Sequence, residues 1–120
     1  MPYLERAKDI YKQIGEGKLL EAFDQYYSEN VVMTEPMGSR EGKVACRDYE
    51  IQFLNSVQEV HGLEVRIIAS DEESQTTLIE NMKDLTFKDG NRVQMEQVSV
   101  QKWEGDQIVH ERFYYDRGMA

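Results

Sequence analysis

The hydrophobic period of this chain changes once, near His61-Gly62, and that change limits the possible folds more than any other feature. Before it, apolar residues recur every three or four positions, as on one buried face of a helix. Tyr3, Leu4, Ala7, Ile10, Tyr11 and Ile14 form the first such set, with Pro2 suited to an opening helical turn and Gly15-Glu16-Gly17 to its end. Leu19, Leu20, Phe23, Tyr26 and Tyr27 form a second. A third runs from about Gly42 to Val60, with Ala45, Tyr49, Phe53, Leu54 and Val57 on one side. Between the second and third lies a short strand, Val31-Val32-Met33-Thr34, leading into Glu35-Pro36-Met37-Gly38. After Gly62 everything reads as strand: Leu63–Ala69, Thr76–Phe87, Arg92–Trp103 and Gln107–Tyr115. Lys88-Asp89-Gly90-Asn91 and Glu104-Gly105-Asp106 supply turn chemistry between them. Helices followed by a meander of strands predict an α+β architecture, three N-terminal helices packed on one face of a strongly curved antiparallel sheet around an internal pocket.

The chain has 120 residues, enough for one core with a modest cavity, and it is expected to be a single domain over 1–120. Forty per cent of the residues are hydrophobic and 31% are charged, a globular composition. The net charge of −9, without a run of Lys or Arg, predicts neither a nucleic-acid nor a membrane partner. The apolar runs fall far below the ~20 residues that span a bilayer, and Met1-Pro2-Tyr3-Leu4-Glu5 lacks the apolar stretch of a signal peptide. Cys46 has no second cysteine to pair with, and neither histidine has a companion at metal-ligand spacing. These features predict a cytoplasmic protein without cofactor or metal.

The strands are long for a chain of this length. Ile79, Leu85, Phe87, Val98 and Val100 are assigned to an outward face too apolar for water, which predicts a homodimer through the open sheet face. Val109, Glu111, Phe113 and Tyr115 share one face of the last strand, the more apolar one, and are placed inward. Glu111 is then either a functional carboxylate on an apolar face, or one that the sheet's twist returns to solvent or to a basic partner. In the neighbouring strand Met95, Gln97, Ser99, Gln101 and Trp103 face inward; Met82 and Asp84 join that wall.

The order of these elements, with Glu16-Gly17-Lys18-Leu19-Leu20-Glu21-Ala22-Phe23 and Val31–Ser39, resembles the NTF2-like superfamily, whose fold is a cystatin-like cone. Within it the chain is most similar to the ketosteroid-isomerase-like and SnoaL-like polyketide cyclase branch. The resemblance covers nearly the whole chain and is specific for fold. Its members include isomerases, cyclases, epoxide hydrolases, dehydratases and proteins that only bind. The isomerase's general base is a carboxylate before a proline and glycine, matched by Glu35-Pro36-Met37-Gly38. Its oxyanion tyrosine falls at Tyr11 or one residue from it, its aspartate donor at Ser99, and its aromatic pocket liner at Tyr49. The Arg-x-Asp pair of the hydrolases is replaced by Gln97-Val98-Ser99, and Asp116 stands near their catalytic aspartate without that pair.

Two functions follow from the resemblance. The first is acid–base isomerisation, cyclisation or dehydration of a small, partly apolar substrate, with Glu35 as base and Tyr11 and Ser99 as hydrogen-bond donors to an oxyanion. Tyr49, Met37, Met82, Met95, Gln97, Glu111, Phe113 and Tyr115 would line the pocket. The second is a ligand-binding or dimerisation module of the same shape.

Overall fold

The computed structural model describes residues 2–116. Three helices, α1 (Tyr3–Gly15), α2 (Leu19–Tyr26) and α3 (Lys43–Ser56), pack on one face of a sheet of six strands. These are β1 (Tyr27–Glu35), β2 (Gly38–Glu41), β3 (Val57–Asp71), β4 (Thr76–Phe87), β5 (Arg92–Glu104) and β6 (Gln107–Tyr114). No helix among the described residues is long and apolar enough to cross a membrane.

The strands run in the order β2-β1-β6-β5-β4-β3, and the sheet stays open between its two edges. Four of the pairings are antiparallel, but β1 lies parallel to β6, with Met33 beside Glu111. The sheet is therefore mixed rather than antiparallel. The β1–β2 hairpin covers the edge that the meander would otherwise leave bare along β6, and so protects its unpaired backbone groups.

Two boundaries move from their expected places. Strand β1 begins at Tyr27, directly from α2, because Ser28-Glu29-Asn30 continues as an irregular strand in which the Asn30 N–H donates to Ser28 Oγ at 3.0 Å. Helix α3 ends at Ser56, where the hydroxyl donates to the Phe53 carbonyl at 2.6 Å, and residues 57–62 belong to β3. Three register shifts bend that 15-residue strand, letting a long edge curl about the interior.

The register assigns the two faces. Ile79 pairs with Ser99, and Ser99 with Phe113, so all three share the inner side with Asn81, Lys83, Leu85 and Phe87. Ile79 and Leu85 are buried. The expected outward placement of Ile79, Leu85 and Phe87 is thus wrong by one residue of strand parity, and Met82 and Asp84 fall on the outer side instead. Asp84 is occupied there by Arg92, whose Nε and Nη2 each donate to it at 3.0 Å. Val98 and Val100 do face outward, beside Leu78 and Tyr114. In β6 a register shift leaves Val109 unpaired, so that Ile108 and Glu111 both turn inward across three residues rather than two.

The dense part of the core lies beneath α1 and α2. Trp103 packs against Tyr3 at 5.4 Å and meets Tyr26 edge-on at 5.9 Å, and Phe23 stacks on Tyr27 at 4.5 Å. Ile10, Val31, Met33, Cys46 and Ile108 complete it. Beneath α3 the filling is looser: Cys46 alone of its residues is fully buried, and Leu54 is 40% exposed.

Candidate functional site

The space under α3 is a cavity of about 210 Å3 lined by Glu35, Arg40, Tyr49, Glu50, Phe53, Lys83, Phe87, Met95, Gln97, Phe113 and Tyr115. Glu50, Lys83, Gln97 and Phe113 also line a smaller hollow of about 40 Å3 between α1, α2 and the sheet, where Tyr11, Tyr27, Met33 and Glu111 appear. The two hollows are therefore adjacent. The larger is walled by five aromatic rings and Met95, with Glu35, Arg40, Glu50, Lys83 and Gln97 set among them, and its volume is below the usual ~300 Å3 of a small-molecule site.

At one end Glu35 closes the β1–β2 turn. Its Oε2 accepts from Arg40 Nη1 at 2.6 Å, and its Oε1 accepts from Tyr115 Oη at 3.0 Å. Arg40 sits over the Tyr49 ring with its Cζ 3.5 Å from the centroid, close enough for the guanidinium to stack on the ring. Burial, then the hydrogen bond to Glu35, pushes Tyr115 up to about 12, so its hydroxyl keeps its proton. Two other Arg40 nitrogens, Nε and Nη2, are buried without a hydrogen-bond partner among the described residues.

At the other end Glu111 is fully enclosed. Its carboxylate accepts hydrogen bonds from Tyr27 Oη, Ser99 Oγ and, at 3.0 Å, Gln101 Nε2. The chain of donors continues outward: Thr77 Oγ1 donates to Gln101 Oε1 at 2.8 Å, and Trp103 Nε1 to Thr77 Oγ1 at 2.9 Å. A buried carboxylate survives only with such satisfaction, and neither solvent nor a basic partner supplies it here. Burial and then the Glu111 charge push the Tyr27 and Tyr11 hydroxyls upward, so both remain protonated.

Between the two ends stands Glu50, half-buried on the inner side of α3, and among the described residues it takes part in no hydrogen bond or ion pair. Burial raises its carboxyl to about 7; Glu111 and Glu35 add to the rise, while Lys83 and Arg40 oppose it. Lys83, opposite on β4, has its ammonium 5.5 Å from the Phe53 ring centroid.

Of the residues expected from sequence, Glu35, Tyr49, Met95, Gln97, Phe113 and Tyr115 line the larger cavity, and Tyr11 and Glu111 the smaller. Ser99 is buried behind Glu111 with its proton committed to it, and lines neither. Met82 borders a separate groove with Tyr11 and Leu63, and Met37 is 75% exposed at the β1–β2 turn, clear of the cavity. Asp116, just past β6, is exposed. Cys46, early in α3, is a buried free thiol.

Glu50, Lys83, Arg40, Phe53 and Phe87 complete the cavity, and of these Phe53 entered the sequence reading as a core residue and Phe87 as an outward one. Two had a signal. Glu50 falls at helical spacing between Cys46 and Phe53, a charge on the buried stripe of a helix. Lys83 alternates with Ile79, Asn81, Leu85 and Phe87, and comes inward once those residues do.

The model of the SnoaL-like domain matches residues 4–115. No curated relative matches the sequence. Among solved structures, a Mesorhizobium loti protein provisionally described as a SnoaL-like polyketide cyclase is 28% identical, with a TM-score of 0.83 over 96% of this chain and 100% of its own. A Bacillus subtilis protein provisionally described as an isomerase is 19% identical, with a TM-score of 0.84 over 99% and 92%. An NTF2-like protein from Anabaena variabilis is 18% identical, with a TM-score of 0.78 over 94% and 88%. The last two likenesses carry the fold alone, and that fold is NTF2-like. With the family model covering nearly all of its length, this chain belongs to the SnoaL-like domain family.

Proposed function

We propose that this chain is an acid–base catalyst of the isomerase, cyclase or dehydratase kind, acting on a small, partly apolar molecule held between α3 and the sheet. The observation that carries the reading is Glu50: a carboxyl raised to about 7, without a hydrogen-bonding partner among the described residues, opening on the cavity beside Lys83. A base of that strength changes protonation state at neutral pH, which proton transfer in both directions requires.

Glu35, the base expected from the family pattern, already accepts hydrogen bonds from Arg40 and Tyr115. Those contacts favour a role in holding Arg40 at the cavity wall, with Glu50 moving the proton. Tyr11 lines the hollow next to Glu50 with its hydroxyl protonated and is the better placed oxyanion donor; Ser99 is spent on Glu111.

The test is exchange of α-hydrogens for deuterium in a panel of small cyclic and aryl ketones in D2O, read by proton NMR for the wild type and Glu50→Gln. Loss of a general base costs about 10²–10⁴ in rate, so the variant should lose at least a hundredfold of any exchange the wild type shows. Equal exchange by both proteins would remove Glu50 from the role. Absence of exchange with every ketone overturns the catalytic reading and leaves ligand retention without chemistry.

The reading includes a homodimer through the outer sheet face. Its support is the apolar set of Ile67, Leu78, Val98, Val100 and Tyr114; Ile67 is 57% and Tyr114 51% exposed.

A further inference from the structure

Two cations face the larger cavity, and neither is fully used by the protein. Arg40 gives one nitrogen to Glu35, which leaves the Nε–Nη2 edge of its guanidinium buried and without an acceptor. A buried donor without a partner is destabilising, and an edge of two parallel N–H groups is the fork that donates to both oxygens of a carboxylate. Lys83 makes no ion pair or hydrogen bond among the described residues, and its ammonium sits half-buried against Phe53. The Glu35–Arg40 pair is neutral as a unit, so Lys83 leaves the cavity with unspent positive charge whenever Glu50 holds its proton. That is the opposite of the molecule as a whole, whose net charge is −9. Of the remaining walls, Phe53, Phe87, Phe113 and Met95 offer no hydrogen bonds, while Tyr49, Gln97 and Tyr115 add neutral polar groups and no charge.

We propose that the ligand of this cavity is a compact organic acid, whose carboxylate takes the free Nε–Nη2 edge of Arg40 and the charge of Lys83, and whose aromatic or alicyclic body lies against Phe53, Phe87 and Phe113. The inference rests on the small-molecule reading above and names its substrate class. The cavity of about 210 Å3 falls below the ~300 Å3 at which small-molecule sites usually begin, which favours a compact body over a polycyclic one. Beyond Phe53 and Lys83 an apolar pocket of about 320 Å3, lined by Leu54, Val57, Val60, Leu63 and Leu85 among others, gives a longer acid room to extend.

The experiment compares 3-phenylpropionate with its neutral amide, 3-phenylpropionamide, by calorimetry and by shift changes of the Phe53 and Phe113 ring protons. It uses the full chain at low salt. The acid should bind the wild type about tenfold or more tightly than the amide, the return expected from one charge-assisted contact. Lys83→Met keeps the stem, and Arg40→Lys keeps the charge while removing the fork. Each should bring the acid most of the way down to the amide. Equal binding of acid and amide, with both shifting the two rings, overturns the organic-acid assignment and leaves the small-molecule site standing. A preference for the acid that survives both substitutions overturns it as well. Binding of neither compound sinks the assignment and counts against the site itself.

Discussion

Burial makes Glu50 a different acid from the exposed glutamates of this chain, and the difference has a sign. Its folded pKa, about 7, lies above the unfolded value of 4.5, so between those two pH values the folded state binds more protons than the unfolded one. Stability contributed by other groups is therefore eroded as pH rises from 4.5 to 7, when Glu50 must ionise in place. Glu50→Gln removes the ionisation. The variant should melt higher than the wild type at pH 8, by about 3 °C or more, and the gap should close near pH 4.5. Thermal denaturation at the two pH values measures it; a gap independent of pH contradicts the assignment. Glu111 shows the alternative solution to the same problem, since three neutral donors satisfy a carboxylate that is more deeply enclosed than Glu50. One carboxyl is committed to the fold, and the other is left free to react.

Among the elements, those with a strong period were legible in sequence. Helices α1 and α2, strands β4 and β5 and their turns lie where alternation and turn chemistry put them. Gly105 turns β5 into β6 at φ 62°, a left-handed conformation, with open space where a side chain would go. Gly105→Ala should therefore cost about 1 kcal/mol from backbone strain alone, measured by urea unfolding, and a neutral result would contradict the strain argument. What stayed hidden has physical causes. Strand β2 is Gly-Ser-Arg-Glu, without a β-branched residue, and exists because β1 pairs with it. The parallel pairing of β1 and β6 is a tertiary choice with no local signature. In β4 both faces carry apolar residues, Leu78 and Met82 against Ile79 and Leu85, so composition cannot decide which side is inner, and Lys83 went unnoticed with it.

For the whole molecule, the open sheet sets an outer apolar surface against an acidic exterior. Leu78 is 40% exposed between Ala69 and Val100 on its neighbouring strands, and Val98 lies between Glu80 and Tyr114. Two copies joined there would cover this face while bringing together two net charges of −9, so association should strengthen with added salt. Sedimentation at micromolar concentration is expected to give a dimer, and Leu78→Lys a monomer. A wild-type monomer at high salt removes the dimer without touching the cavity.

The cavity and its proton-carrying carboxyl remain the centre of the account, and the side-chain titration of Glu50 tests them directly. In protein carrying 13C-labelled glutamate, the carboxyl resonance that disappears in Glu50→Gln should titrate with a midpoint near 7. A midpoint near 4.5, the ordinary value for glutamate, would mean that Glu50 meets water freely, and the acid–base reading would fall with it.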